Sequence, residues 1–434
     1  MLAPRRSILT LIFCTLLHAF THAFGSLLVP LYLLMVADLH LHGVRQAALI
    51  VTLYGLVYNI CSYPAGVLAD HFNRKWLLAI GLLGNSLAMG SIGLSRHYPE
   101  MVLLGVVAGL FASLFHPCAN SLVPAHFPEN PGLAIGLLGI GSGIGFFVGP
   151  QFSGWRAQEA HWHFAQVAAW QKPCVELGAA GVICAILFLI FARETRTRAD
   201  LQRMKHLNSA SADSSPVAIL PAQMSTEEIV MRYEAHPPGI HLSRSLFWRV
   251  VGIGSTLGMR DFAGVGTITL SSIYLQKAFA YSPKHAGLAV GLMMLLSVLV
   301  NPASVYLSSG KRRLPLLATA LMAGGVAITL VPCFGAIGAV ITFCVFQTFQ
   351  LGSYAMSDAA ILERVPPAVR GRVVGVFLTI AGTFGACAPF VMGWWTDLLG
   401  NRAAQPHAYV PIFLALGSMM ALASLATKLI ARLA

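Results

Sequence analysis

The sequence predicts an all-α polytopic membrane protein with twelve transmembrane helices in two parallel-related six-helix bundles, on three observations. The 434 residues are 56% hydrophobic and only 10% charged, with a mean hydropathy of +0.72, which is more apolar than soluble domains. Apolar stretches near the roughly 20 residues needed to cross a bilayer recur along the whole chain. A glycine-proline run also occurs twice: Gly136, Gly143, Pro150, Gly154 and Trp155 return as Gly375, Gly382, Pro389, Gly393 and Trp394, at a constant offset of 239 positions (136 to 375).

The apolar stretches fall near 8–36, 44–66, 76–95, 101–125, 132–155 and 175–192, then near 249–277, 284–308, 314–334, 336–362, 370–396 and 407–431. The first follows Arg5 and Arg6 as a signal peptide would, but its apolar run continues to about Met35, too long for an h-region, so it reads as a retained helix. The fourth holds the helix-distorting Pro117 and the fifth holds Pro150. Between the sixth and seventh the composition breaks. Arg193 to Lys205 is basic, 208–222 is rich in Ser, Ala and Pro, and Ser225-Thr-Glu-Glu228 has capping-box spacing before a short surface helix. The expected domains are therefore an N-terminal six-helix bundle over 1–192, a cytoplasmic linker over 193–248 and a C-terminal six-helix bundle over 249–434.

Charge placement orients the chain. Twenty of the 28 Lys and Arg residues fall on the side that carries both termini, seven on the other, and Arg260 lies within a crossing. By the positive-inside rule both termini are cytoplasmic, in the cell's inner membrane. The net charge of +12 then reflects topology and attraction to anionic lipid headgroups; no basic stripe interleaved with aromatics points to nucleic acid. The eight cysteines are scattered without a C-x-x-C, so no disulfide is expected. His161 and His163 flank Trp162 without a third ligand and read as solvated loop residues. No metal site, cofactor or partner protein is expected, and the chain reads as a monomer. The crossings hold no H-E-x-x-H zinc-ligand helix, nucleophile elbow or phosphate loop, which argues against an enzyme.

Three motifs carry a resemblance. After the second crossing, Gly66-x-Leu68-x-Asp70-x-x-Asn73-Arg74-Lys75 is similar to the loop signature G-x-L-x-D-x-x-G-R-[RK] of major facilitator superfamily transporters. Asn73 replaces the second glycine and tolerates positive φ better than other side chains. In the fifth crossing Gly136-x8-Gly145-x3-Gly149-Pro150-x2-Ser153-Gly154 resembles the antiporter signature of that superfamily. At 100° per residue Gly132, Gly136, Gly139 and Gly143 share one face while Gly141, Gly145 and Gly149 share nearly the opposite one, so both faces can approach neighbouring backbones. His18-x3-His22-x7-Pro30, His116-Pro117 and Arg260 are similar to the fosmidomycin-resistance exporters within it. The resemblance implies a transporter of two bundles that alternates access to a central site. It makes Gly66, Asp70, Arg74 and Lys75 gating residues, with Asp70 and Arg74 in one charge relay. Two departures matter: His22 stands where that exporter group has an acid, and Gly105 stands where the superfamily has an arginine.

Ionisable groups at membrane depth cost about 2.5 to 3.5 kcal/mol to insert, which makes each a functional candidate. The 239 offset sets His22 in the first crossing opposite Asp261 in the seventh, an expected proton-coupling pair because His titrates near pH 6.5. Asp358 falls opposite Asn120, one residue off that offset. His18, His116, Asn120 and Arg260 are the expected substrate contacts, Arg260 as an anchor for an anionic group. Arg260 and its neighbour Asp261 project about 100° apart, which predicts that they do not point at one spot. Together these residues suggest a proton-coupled antiporter that exports a small organic, anionic or drug-like, compound. The alternatives are a proton-coupled importer of an organic anion and, third, a non-transporting membrane receptor or enzyme.

Overall fold

A backbone crossing hydrocarbon has no water to satisfy it, so each crossing must close its hydrogen bonds within its own helix. In a computed structural model, which describes residues 5–159, 167–194, 243–308, 310–365 and 369–433, all regular structure among the described residues is helical. The first crossing is α1 (Arg5–Ser26) and α2 (Tyr32–Asp38), separated by a 3-10 turn at Val29–Leu31. The expected continuous helix is interrupted because Pro30 has no N–H to donate. α3 (Val44–His71) and α4 (Arg74–Ile92) follow. At their junction Asn73 has φ −70° and its side-chain oxygen accepts from Trp76 N–H at 3.1 Å. It works as an N-cap, so the positive φ anticipated from the missing glycine is not needed.

The fourth crossing breaks into α5 (Tyr98–Ala112) and α6 (Phe115–His126), just before Pro117. α7 (Pro131–Arg156) runs through Pro150 unbroken, and α8 (Lys172–Phe191) ends the first half. The second half comprises α9 (Arg244–Phe279), α10 (Pro283–Leu295), α11 (Ser297–Leu307), α12 (Arg313–Thr329), α13 (Ala336–Arg364), α14 (Arg370–Leu399), α15 (Val410–Leu422) and α16 (Ala426–Ala431). Eleven of these crossings are long and apolar enough to span a bilayer. α9 makes the twelfth by length, its 36 residues reaching about 54 Å at 1.5 Å each. Its buried Arg260, Asp261, Thr267, Thr269, Ser271 and Ser272 reduce its hydropathy. The surface helix expected near 225–234 lies outside the described residues, as do His161 and His163.

Buried apolar side chains form one cluster almost wholly from α1–α8 and another from α9–α16. In the first, α1 packs on α7 and α4 on α8; in the second, α9 packs on α14 and α12 on α15. The halves meet where α3 lies against α14 and α7 against α10. Exchanging the halves turns the first contact into the second, as two repeats related by a two-fold axis require.

Among the described residues the joint is closest at one end. A Cβ on Gly154 would overlap the Pro283 carbonyl, and one on Gly393 would overlap the backbone of Arg45. These glycines are repeat counterparts, and each lets the start of a helix in the opposite half sit against its own helix. Asp397 adds a polar clasp: its carboxylate accepts from Val44 N–H at 2.8 Å and Arg45 N–H at 3.1 Å, at the positive end of α3. Gln276 donates to the Pro30 carbonyl at 3.1 Å and Ser272 to that of Val29 at 3.2 Å. At the other end Gly132, Gly136, Gly139 and Gly375 meet nothing within 4 Å. Among the described residues the contacts between the halves are thus densest at the end away from the termini and reach mid-helix, where Asn59 donates to the Gly382 carbonyl at 3.3 Å.

Asp397→Ala removes two charge-assisted hydrogen bonds at a half-buried site, about 1–3 kcal/mol in all. We expect maleimide labelling of a cysteine placed at the buried Ala47 to accelerate at least several-fold in that background, scored at that position by mass spectrometry. An unchanged rate would show that apolar packing alone holds the joint.

Candidate functional site

The His18–His22 spacing puts both rings on one side of α1, and the break between α5 and α6 brings His116 to them. His18 and His22 approach at 3.0 Å between their Nε2 atoms, and His18 Nδ1 lies 2.8 Å from the Leu138 carbonyl. A carbonyl only accepts, so His18 carries its hydrogen on Nδ1 and offers the lone pair of Nε2 to His22 Nε2–H. The His116 ring stands edge-on to His18 at 5.1 Å and lies 5.8 Å from His22 between centroids. Phe115, Phe146 and Tyr58 wall the cluster. Asn120, on the His116 side of α6, is exposed. The sequence named each of these histidines separately but expected no site built from all three.

The second group lies on α9 and α13. Arg260 is 0% exposed. Its Nε donates to Asp261 Oδ1 at 2.8 Å, its Nη1 donates to Ser357 Oγ at 2.9 Å, and its guanidinium lies 3.8 Å over the Tyr354 ring. This corrects the expectation that adjacent residues cannot serve one spot: the 100° step fixes the Cβ directions, while the long arginine stem curls back to its neighbour. Nη2 of Arg260 has no hydrogen-bond partner among the described residues. Asp358 follows Ser357, with 3.5 Å between its Oδ1 and the serine hydroxyl, and is exposed. Among the described residues Asp358 makes no ion pair, so the group holds two carboxylates and one guanidinium, which is paired to Asp261. His22 and Asp261 do not form a contacting pair: His22 belongs to the histidine cluster of one half and Asp261 to the arginine cluster of the other. Tyr354 and Ser357 went unnoticed in the sequence, because nothing local separates them from other polar residues on a helix.

The loop after α3 departs from expectation. Arg74 Nε donates to Glu194 Oε1 at 3.0 Å and Nη1 reaches the Ser121 carbonyl at 3.4 Å, while Lys75 N–H donates to Glu194 Oε2 at 2.9 Å. Asp70 is exposed and makes no ion pair among the described residues. The ion pair from this loop therefore runs to Glu194, just beyond α8, because a carboxylate there faces both the Arg74 side chain and the positive end of α4. Gly66 has only Pro117 near, at 3.9 Å from a would-be Cβ.

In α7 a Cβ on Gly141, Gly145 or Gly149 would overlap the carbonyls of Thr15, Ala19 and Ala23 respectively. Three glycines four apart thus sit on three α1 residues four apart, so the two backbones lie in direct contact. The opposite face of α7 does not match expectation, since Gly132, Gly136 and Gly139 touch nothing within 4 Å. Gly154 and Pro150 serve the joint instead, the Pro150 carbonyl filling the space beside Gly287. In the second half bulk and gap change sides. Phe384 and Ala388 replace Gly145 and Gly149, and the small partner becomes Gly258 on α9, whose Cβ would lie 2.8 Å from the Phe384 ring. Gly105 is likewise a contact point, a Cβ there falling 2.9 Å from Ile50 Cγ2, which leaves no room for the superfamily's arginine.

Gly145→Leu is expected to force α7 off α1 and lower transport at least ten-fold in cells at equal membrane abundance, while Gly136→Leu, which faces open space, leaves folding intact. Equal abundance and activity for both would show that the α1–α7 contact tolerates bulk. Glu194→Ala is expected to cost about 2 kcal/mol through two lost charged hydrogen bonds and to lower the Tm in detergent. Asp70→Asn should leave Tm unchanged. The reverse ranking would put the relay back on Asp70.

A family model described as Major Facilitator Superfamily matches residues 11–380. The chain is 23% identical over 172 residues to the quinolone resistance protein NorA of Staphylococcus aureus strain Mu50, a match covering 39% of this chain and 42% of that protein. It is 26% identical over 158 residues to the efflux pump azaK of Aspergillus niger, covering 36% of this chain and 32% of the pump. The chain thus spans less than half the length of the curated relatives it matches. Its fold is similar to a bacterial homologue of the human lysosomal transporter Spinster in an inward-facing, unoccupied conformation, with TM-score 0.76, 16% identity and 99% of each chain covered. A D-xylose–proton symporter is similar too, with TM-score 0.70, 16% identity, and 97% of this chain and 96% of the symporter covered. With the helical architecture, the exchangeable halves and a family model over most of its length, this chain belongs to the Major Facilitator Superfamily.

Proposed function

We propose that the protein exports a small drug-like organic compound in exchange for protons. The observation that carries this reading is the surplus carboxylate: Arg260 is engaged by Asp261 at 2.8 Å, and the exposed Asp358 has no ion-pair partner among the described residues. Antiport requires substrate and proton to compete. A basic or hydrogen-bond-donating group on the substrate and a proton would compete for that one carboxylate. Proton exchange is therefore assigned to Asp358 and Asp261, and the histidine cluster, His22 included, to the binding surface with Asn120. The likeness to two proteins named for resistance and efflux supports the outward direction. With both termini cytoplasmic in the inner membrane, the separation around Gly136 and Gly375 corresponds to an inward-open state. The bundles 1–192 and 249–434 act as the two moving bodies, tethered by 193–248, in a monomer.

A second reading rests on the unpartnered Nη2 of Arg260. An anionic substrate would take that donor and loosen Asp261, which would then bind a proton, so anion and proton would travel together as in an importer. The sign of proton movement separates the two readings. In acid-loaded inverted vesicles an antiporter's substrate raises the lumenal pH as it enters, whereas a symported anion does not.

Asp358→Asn is expected to abolish pH-gradient-driven transport, at least ten-fold, while energy-independent counterflow persists. Continued concentration of substrate by this variant would place coupling elsewhere. Asp261→Asn leaves Arg260 without its buried counter-ion, a change worth about 3–5 kcal/mol, and should lower the Tm as well as transport.

A further inference from the structure

Histidines within membrane crossings are costly and are retained for a task. In α1 and α6 three of them converge, and one ligand nitrogen from each of His18, His22 and His116 lies within 4.8 Å of the others. Tetrahedral zinc holds imidazole nitrogens at about 2.0–2.1 Å, which sets neighbouring nitrogens about 3.3 Å apart. His18 and His22 are already at 3.0 Å, so an ion seated between them needs them to part by only tenths of an ångström. His116 must close by about 1.5 Å, within reach of a change of rotamer.

Two further features mark a ligand set. Histidines four apart on one helix face are the arrangement in which a helix offers two imidazoles to one metal. His18 also donates its Nδ1 hydrogen to the Leu138 carbonyl, which fixes the tautomer and turns the Nε2 lone pair into the cluster, as outer-shell carbonyls do for metal-bound histidines. The Leu138 carbonyl belongs to α7, the helix whose glycine ladder holds it against α1, so the orientation of the imidazole is built into the bundle. Phe115, Phe146 and Tyr58 surround the rings, and the residues in contact include no carboxylate. Three neutral imidazoles favour borderline metals over calcium or magnesium, which select oxygen. With three protein ligands the fourth position stays open for water or for a donor atom of another molecule.

We propose that His18, His22 and His116 form a binding site for one divalent transition-metal cation of the zinc type. The ion arrives either free or held in a small chelate whose own donor atom takes the fourth position. This site rests on imidazole geometry and is independent of the direction of transport and of proton coupling.

The test uses the full-length protein in detergent with any affinity tag removed and Co2+ as the spectroscopic probe. One equivalent is expected to produce the visible absorption of a four-coordinate site, which Zn2+ then erases. His22→Gln and His116→Gln should each weaken binding at least ten-fold, and the exposed His407→Ala should not. Zn2+ should also raise the Tm of the parent protein but not of the variant with all three histidines changed to Gln. A parent protein that leaves Co2+ in its six-coordinate aqueous spectrum overturns the proposal, as does equal affinity in the triple variant. In proteoliposomes, radioactive zinc that moves without chelator identifies the free cation as the source, and zinc that moves only with citrate identifies the chelate. These measurements need no pH gradient, so their failure leaves the export reading standing and their success does not depend on it.

Discussion

Close contact between bare backbones is the constraint on which this structure depends. In lipid no hydrophobic force draws two apolar helices together, so association relies on van der Waals contact and on the few polar groups that find partners. The glycine ladder of α7 on the carbonyls of Thr15, Ala19 and Ala23 is this principle at its plainest. It fixes α1 against α7, holds the Leu138 carbonyl within reach of His18, and so sets the geometry of the histidine cluster. The counterpart contact in the second half distributes bulk differently, with the Phe384 side chain set against Gly258. Repeats can therefore keep a joint while exchanging which side supplies the gap.

The same logic separates what is fixed from what moves. Contacts within each half are broad and apolar, with a separate buried core on each side. Contacts between halves among the described residues are closest at one end and combine glycine approach with single polar links, such as Asp397 on the start of α3. The export proposed above would need the second kind to break and remake in each cycle, and a few hydrogen bonds of about 1 kcal/mol each are suited to that. Space beside Gly136 and Gly375 is unfilled.

Polar groups are distributed unequally between the halves. The first half gathers three imidazoles among aromatic rings, and the second gathers a guanidinium, a phenol, a serine and two carboxylates. Low dielectric raises the consequence of each pairing, and Arg260 meets it with an ion pair, a hydroxyl and an aromatic face while keeping one nitrogen uncommitted. A substrate held between two such walls would meet borderline-soft nitrogen on one side and hard charge on the other.

The sequence by itself determined the crossings, the repeat and the depth of each ionisable residue, because helix formation in a membrane is dictated by local apolarity and by backbone hydrogen bonds within about four residues. It also singled out Gly145, Gly149, Arg260 and the three histidines, each conspicuous against an apolar background. Only the tertiary structure decided the pairings. Arg74 takes Glu194 rather than Asp70 across 120 positions, and Asp397 reaches Val44 across 353. Such contacts depend on how helices pack and where loops return, and no local pattern records that. Arg260 shows the same limit at the shortest range: helix geometry assigned it a direction away from Asp261, and a flexible stem with a buried charge to neutralise turned it back.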